Sequence, residues 1–183
     1  MNQDAVPTGT LHLLTGPWAS GKTSLVPLLA RLLSEAVVFD WDVLHPGLSA
    51  AAGKDAYRDS STWEGLKAMW VAIINAVLAG GRDVLLCGPA LPDDFARSGI
   101  WACSIRCAYL DCPDEVLVQR LQARGEAEAE ISDELATMAA LRRSGYEALP
   151  VVDRAPHQLA EDVAAWIRAA RAGTHDTGTL PDG

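Results

Sequence analysis

The chain has 183 residues, 49% of them hydrophobic and 21% charged, with a formal net charge of −9. That length fits one domain with a substantial core, and the apolar runs are too short and interrupted to span a bilayer. The acidic balance opposes sequence-independent binding to nucleic acid. The opening Met1-Asn2-Gln3-Asp4 lacks a basic stretch followed by an apolar one, so a cytoplasmic location is expected.

In chain order, Thr10–Thr15 reads as a first strand running into a glycine loop. A helix follows from about Gly21, with Leu25, Leu28, Leu29, Leu32 and Leu33 at helical spacing. Pro27 lies past its first turn, leaves the Thr23 carbonyl without its usual partner and can bend the helix. Ala36–Asp40 is a second strand. Trp63–Leu78 is a long amphipathic helix, closed by Gly80-Gly81. Asp83–Cys87 is a third strand and Trp101–Leu110 a fourth. Pro113–Arg124 is a helix with proline near its first turn. The acidic stretch Gly125–Glu130 leads to a helix over Ser132–Gly145, for which Ser132 is the expected N-cap. Leu149–Asp153 is a fifth strand and His157–Arg171 a last helix. The tail from Gly173 is polar and glycine-rich, the composition of a disordered segment. Strands alternating with helices imply a parallel sheet covered on both faces, with ligands at the carboxyl ends of the strands.

The four cysteines, Cys87, Cys103, Cys107 and Cys112, form no C-x-x-C pair and have no histidine at zinc-ligand spacing. They read as reduced thiols on or beside buried strands.

The chemistry concentrates in three places. Gly16-Pro17-Trp18-Ala19-Ser20-Gly21-Lys22-Thr23 matches G-x-x-x-x-G-K-[ST] in full, follows a strand and opens a helix. Such a loop turns its backbone N–H groups onto phosphate oxygens, and the helix adds its positive end. Gly16, Trp18, Ala19, Ser20, Gly21, Lys22, Thr23 and Ser24 are the expected nucleotide-binding residues, with Lys22 on the β and γ phosphates and Thr23 on Mg²⁺. Next, Phe39-Asp40-Trp41-Asp42-Val43-Leu44-His45-Pro46 sets two acids at i and i+2 after the second strand. One can reach a metal and the other an acceptor hydroxyl, whose proton a carboxylate can accept; either can instead cap the following turn. Finally, Arg120 and Arg124 share a helix face, and a guanidinium can stack on a base or fork onto phosphate. Trp18, Trp41 and Trp63 are expected near the mouth, favouring a neutral, planar or apolar acceptor, unless they are ordinary core. Arg142 and Arg143 could close over the reaction, and Glu126, Glu128 and Glu130 should form a solvated surface.

The cradle, FDWDVLHP, VLLC, YLDCPDEVLVQRLQARG and VVD…AEDVAAWI resemble, in order and spacing over most of residues 10–170, the gluconate kinase and shikimate kinase branch of small-molecule P-loop kinases. Asp42 also matches an acid of chloramphenicol phosphotransferases. The resemblance implies an α/β P-loop NTPase three-layer sandwich like nucleoside monophosphate kinases, with a five-stranded parallel sheet in the order 2-3-1-4-5. It implies one kinase domain over residues 1–172 with a helical lid at about 125–145, followed by the tail at 173–183. It also implies ATP and Mg²⁺ as cofactors, Thr23 and Asp40 as metal ligands, and Asp42 at the acceptor hydroxyl. Arg120 would stack on adenine, Arg124 reach the phosphates, and the loop at Arg154-Ala155-Pro156 pack on the base. Lys22, Asp42 and Arg124 are then the catalytic set, acting on a small-molecule acceptor in a monomer or homodimer that uses neither nucleic acid nor membrane.

Gluconate kinases usually carry Lys, Tyr and Arg after the third strand. Here Asp93 and Asp94 stand in that region, which disfavours an anionic acceptor. The third strand also lacks the carboxylate of motor ATPases. The expected activity is therefore phosphoryl transfer from ATP to a hydroxyl of a nucleoside, antibiotic or sugar derivative. The alternatives are a nucleotide-dependent regulatory module without a small-molecule acceptor, or a nucleic-acid-directed ATPase.

Overall fold

A computed structural model describes residues 9–95, 98–100, 102 and 104–174, and the side chains of these up to residue 169. Five strands form one sheet: β1 (Thr10–Thr15), β2 (Ala36–Asp40), β3 (Asp83–Cys87), β4 (Ser104–Asp111) and β5 (Glu147–Pro150). Their order is β2-β3-β1-β4-β5, and every pairing is parallel. This is the P-loop kinase arrangement that the resemblance implied. Because all strands run one way, Thr15, Asp40, Cys87, Asp111 and Pro150 end along one edge.

Side-chain alternation along β1 and β3 divides the core between the two faces of the sheet. Leu14, Leu85 and Cys87 join α1 (Lys22–Leu32), α5 (Asp114–Arg124), α6 (Glu128–Arg143) and α7 (Pro156–Thr174) on one face. Leu11, Leu13, Val84 and Leu86 join α3 (Ser60–Ala79) on the other. The short helices α2 (His45–Ala52) and α4 (Pro92–Phe95) lie in the connections on that second face.

Several boundaries differ from expectation. Between β2 and α3 the chain forms a 3-10 turn, Trp41–Leu44, and then α2. Neither shows in the sequence, because short segments rich in alanine and glycine carry no periodicity. Helix α3 begins at Ser60, where the Asp59 carboxylate accepts from the Thr62 amide at 3.0 Å. Helix α6 begins at Glu128, so Ser132 is an interior residue and not its N-cap; Glu130 reaches back to the Ala127 amide at 3.1 Å. Strand β5 is Glu147–Pro150 and not Leu149–Asp153, since Asp153 takes φ 56° and leaves the sheet direction. Helix α1 continues through Pro27, which faces solvent, where water can serve the released carbonyl. Helix α7 reaches Thr174, and the rest of the expected tail lies outside the described residues, as do Trp101 and Cys103. Cys87, Cys107 and Cys112 are free thiols. Among the described residues no helix is long and apolar enough to cross a membrane.

Candidate active site

The loop between β1 and α1 sits at the strand-end edge. Gly21, at φ 112°, turns the chain into α1 in a conformation that side chains resist. Ala19 takes φ 61° despite its Cβ, a strained backbone of the kind that accumulates in ligand clamps. Lys22 folds back over the loop, and its Nζ donates to the carbonyl oxygens of Gly16 at 2.6 Å and Pro17 at 2.9 Å. Burial lowers the Lys22 pKa to about 8, against the raising influence of Asp42, Glu134, Cys87 and Asp40. The ammonium is thus drawn onto the loop carbonyls, partly out of solvent.

A cleft of about 590 Å³ brings Lys22, Thr23 and Ser24 together with Asp42 and Arg124. The expected catalytic set therefore shares one cavity. A second cavity of about 250 Å³, on the α5 side of the loop, is lined by Arg120, Arg124, Arg154 and Pro156 together with Gly21 and Ser24. Arg120 donates to the Ala19 carbonyl at 3.1 Å, which ties its guanidinium to the cradle. Arg124 lines both cavities. Together they offer adjoining spaces on the two sides of Lys22 and Thr23.

The two acids at the end of β2 occupy different surroundings. Asp42 lines the cleft. Asp40 caps the 3-10 turn, accepting from the Asp42 amide at 3.1 Å, and its charge acts on Lys22 and Tyr57. Asp40 lines neither cavity, and one of its oxygens is occupied by this cap. Thr23 and Asp40 offer oxygen donors alone, the set Mg²⁺ prefers when phosphates and water complete its shell. Among the described residues no group of three or more His, Cys, Asp or Glu could hold a metal by itself.

Several residues of this site, Tyr57, His45, Asp55, Arg58, Asp133 and Glu134, are not among the expected ones. Tyr57 donates its hydroxyl to Asp42, and its pKa is raised by burial and then by Asp42 itself, so it stays a donor. His45 stacks on Tyr57 with ring centroids 4.1 Å apart and stands 3.4 Å from Asp55. From α6, Glu134 accepts from the Trp18 amide at 2.7 Å. Burial raises the Glu134 pKa despite that bond and despite Lys22. Only His45 carried a signal, as part of the Leu-His-Pro segment; Tyr57, Asp55 and Glu134 reach the cleft by long-range folding.

Four expectations need correction. Trp41 is fully buried, stacked on Trp70 at 5.8 Å and close to Trp63 at 5.3 Å; it belongs to the core beneath the cleft, not to its mouth. Trp18 alone of the three lines the cleft, and it is 40% exposed. Asp93 and Asp94 lie off the cleft lining: Asp94 caps α4 by accepting from the Leu91 amide at 2.9 Å. Arg142 does not reach the reaction centre. It clamps α6 to the end of β4 through Asp111 at 2.9 Å, Asp114 at 2.7 Å and the Cys112 carbonyl at 2.9 Å. Arg143 is exposed and lines neither cavity. Glu128 is exposed, whereas Glu126 and Glu130 are half-buried.

A family model described as an AAA domain matches residues 11–147. No curated protein sequence matches significantly. Among solved structures, a gluconokinase from Sinorhizobium meliloti 1021 superposes with TM-score 0.64 at 17% identity, covering 96% of this chain and 100% of that one. The tunicamycin resistance protein of Deinococcus radiodurans gives TM-score 0.64 at 16% identity, over 87% of this chain and 95% of that one. Shikimate kinase from Aquifex aeolicus gives 0.57 at 15% identity, over 89% and 99%. At these identities the likeness is one of fold.

Proposed function

Because the chain belongs to the AAA domain family and has the P-loop kinase fold, we propose that it transfers the γ-phosphoryl group of ATP to a hydroxyl of a small molecule. The observation that carries this reading is a single cleft lined by Lys22, Thr23, Asp42 and Arg124 together. ATP would lie along the loop, its base in the cavity of Arg120, Arg154 and Pro156 and its phosphates against Lys22 and the loop amides. Magnesium, held by Thr23 and Asp40 with phosphate oxygens, would supply charge neutralisation at the phosphates.

In the transfer, the acceptor oxygen forms a bond to the γ-phosphorus as the bond from that phosphorus to the β–γ bridging oxygen breaks. ADP leaves and the hydroxyl proton passes to Asp42 or through it to water. Asp42 can do this because Tyr57 fixes its carboxylate while its own exposure keeps it wet. Lys22 and Arg124 balance the charge that moves onto the leaving oxygens. A gluconokinase and a tunicamycin resistance protein stand among the structural neighbours, which supports seeking the acceptor among nucleosides, antibiotics and sugar derivatives.

The test is acceptor-stimulated release of ADP. Asp42→Asn should lower stimulated turnover by about 10²–10⁴-fold and leave MgATP affinity within about twofold. Unchanged turnover in that variant would remove Asp42 from the chemistry.

A further inference from the structure

We infer that the acceptor is a cation: an amine-bearing alcohol with an apolar body, rather than a sugar acid or another anion. The inference rests on the phosphotransferase reading and adds the acceptor's charge and shape to it.

Five carboxylates line the main cleft: Asp42, Asp55, Glu130, Asp133 and Glu134. They come from three separate parts of the chain, namely the 3-10 turn, the loop before α3, and α6. A charge run on one helix would only mark a solvated face. Convergence from three elements on one cavity gives that cavity a field. Three cations line the same cleft, Lys22, Arg58 and Arg124, two fewer than the carboxylates. Lys22 and Arg124 stand on the phosphate side, Lys22 against the loop carbonyls and Arg124 where the two nucleotide cavities meet. Arg58 is 3.8 Å from Glu130. Bound MgATP adds net negative charge. An anionic acceptor would therefore enter an already negative space, and an ammonium group would complete it.

A second, independent feature concerns shape. A cavity of about 440 Å³ opens beside the cleft and shares the walls Trp18, Pro89 and Glu134 with it. Its remaining lining includes Pro17, Leu91, Leu141 and Tyr146, so it receives apolar bulk. Glu134 stands on the shared wall and is half-buried. Burial raises its carboxyl pKa while the Trp18 amide and the Lys22 charge lower it, and an ammonium group beside it would favour the charged form. A ligand with its ring in the side cavity would pass Glu134 with its amine and reach towards Asp42 with its hydroxyl.

Three compounds of one skeleton separate the possibilities: 2-amino-1-phenylethanol, 1-phenylethane-1,2-diol and mandelate, which are cationic, neutral and anionic at pH 7. Each is titrated calorimetrically into the full chain, with and without a non-hydrolysable MgATP analogue. The amine should bind at least about tenfold more tightly than the diol, and mandelate more weakly than both. Glu134→Gln keeps the bond to the Trp18 amide and should shrink the amine's advantage several-fold. Ala140→Trp, which fills the side cavity, should weaken amine and diol alike. An amine that binds no better than the diol or mandelate, including no measurable binding by any of the three, overturns the inference. Failure of the nucleotide analogue to bind counts against the phosphotransferase reading alone, and the charge preference is then read on the free protein.

Discussion

Lys22 is a half-buried ammonium group, and desolvation lowers its pKa to about 8. The unfolded chain holds that proton to a higher pH, since an ordinary lysine titrates near 10.5. Between those two values the unfolded state binds more protons, so this residue's contribution to stability rises with pH through the window of about 8 to 10.5. Nucleotide binding runs the other way. Phosphate needs the ammonium form and should draw a proton back onto Lys22. MgATP affinity should thus be flat with respect to this group below pH 8 and fall above it, by up to about tenfold per pH unit. Calorimetry at pH 8.5 to 9 in buffers of different ionisation heat should detect proton uptake. Proton-neutral binding across that range would mean that Lys22 does not meet the phosphates.

At the scale of elements, the strand-end edge explains which parts of the site were legible. The cradle was readable because one contiguous motif contains the strand end, the loop and the helix start. Asp40 and Asp42 were readable because they follow β2 directly. Trp41, between them, was not: a tryptophan after a strand can face the mouth or the core, and the choice depends on Gly88 in β3's exit. A Cβ at Gly88 would come within 2.3 Å of the Trp41 Cβ, so the glycine is what admits the ring beneath the cleft. Tyr57, Asp55 and Glu134 were invisible because their role depends on where the α2–α3 connection and α6 come to rest. Ser132 misled as a cap because serine resembles an N-cap anywhere, while the true start at Glu128 uses an alanine and the returning Glu130.

Arg142 gives the element-scale prediction. It joins α6 to β4 and α5 through three hydrogen bonds, two of them to carboxylates, and those bonds raise its own pKa. Arg142→Met leaves Asp111 and Asp114 without their shared cation. The groups are partly exposed, so screening limits the loss to about 1–2 kcal/mol in urea unfolding. MgATP affinity should change by less than about twofold. A large loss of affinity with unchanged stability would return Arg142 to the reaction centre.

For the whole molecule, the parallel order β2-β3-β1-β4-β5 places β1 centrally and sends its loop to the one edge where every strand ends. The two core faces hold the helices that supply the site from opposite sides. Helices α5 and α7 bring Arg120, Arg124 and Pro156, while the segment before α3 brings Asp42, His45 and Tyr57. A nucleotide along the loop, with its recipient in the adjoining cleft, is the use this arrangement supports. The most direct measurement is titration of MgATP into the wild-type chain and into Lys22→Met at pH 7. The wild type should bind with one site per chain and micromolar affinity, and the variant at least about 100-fold more weakly. Equal affinity in the two proteins, or no heat of binding in either, would contradict the account.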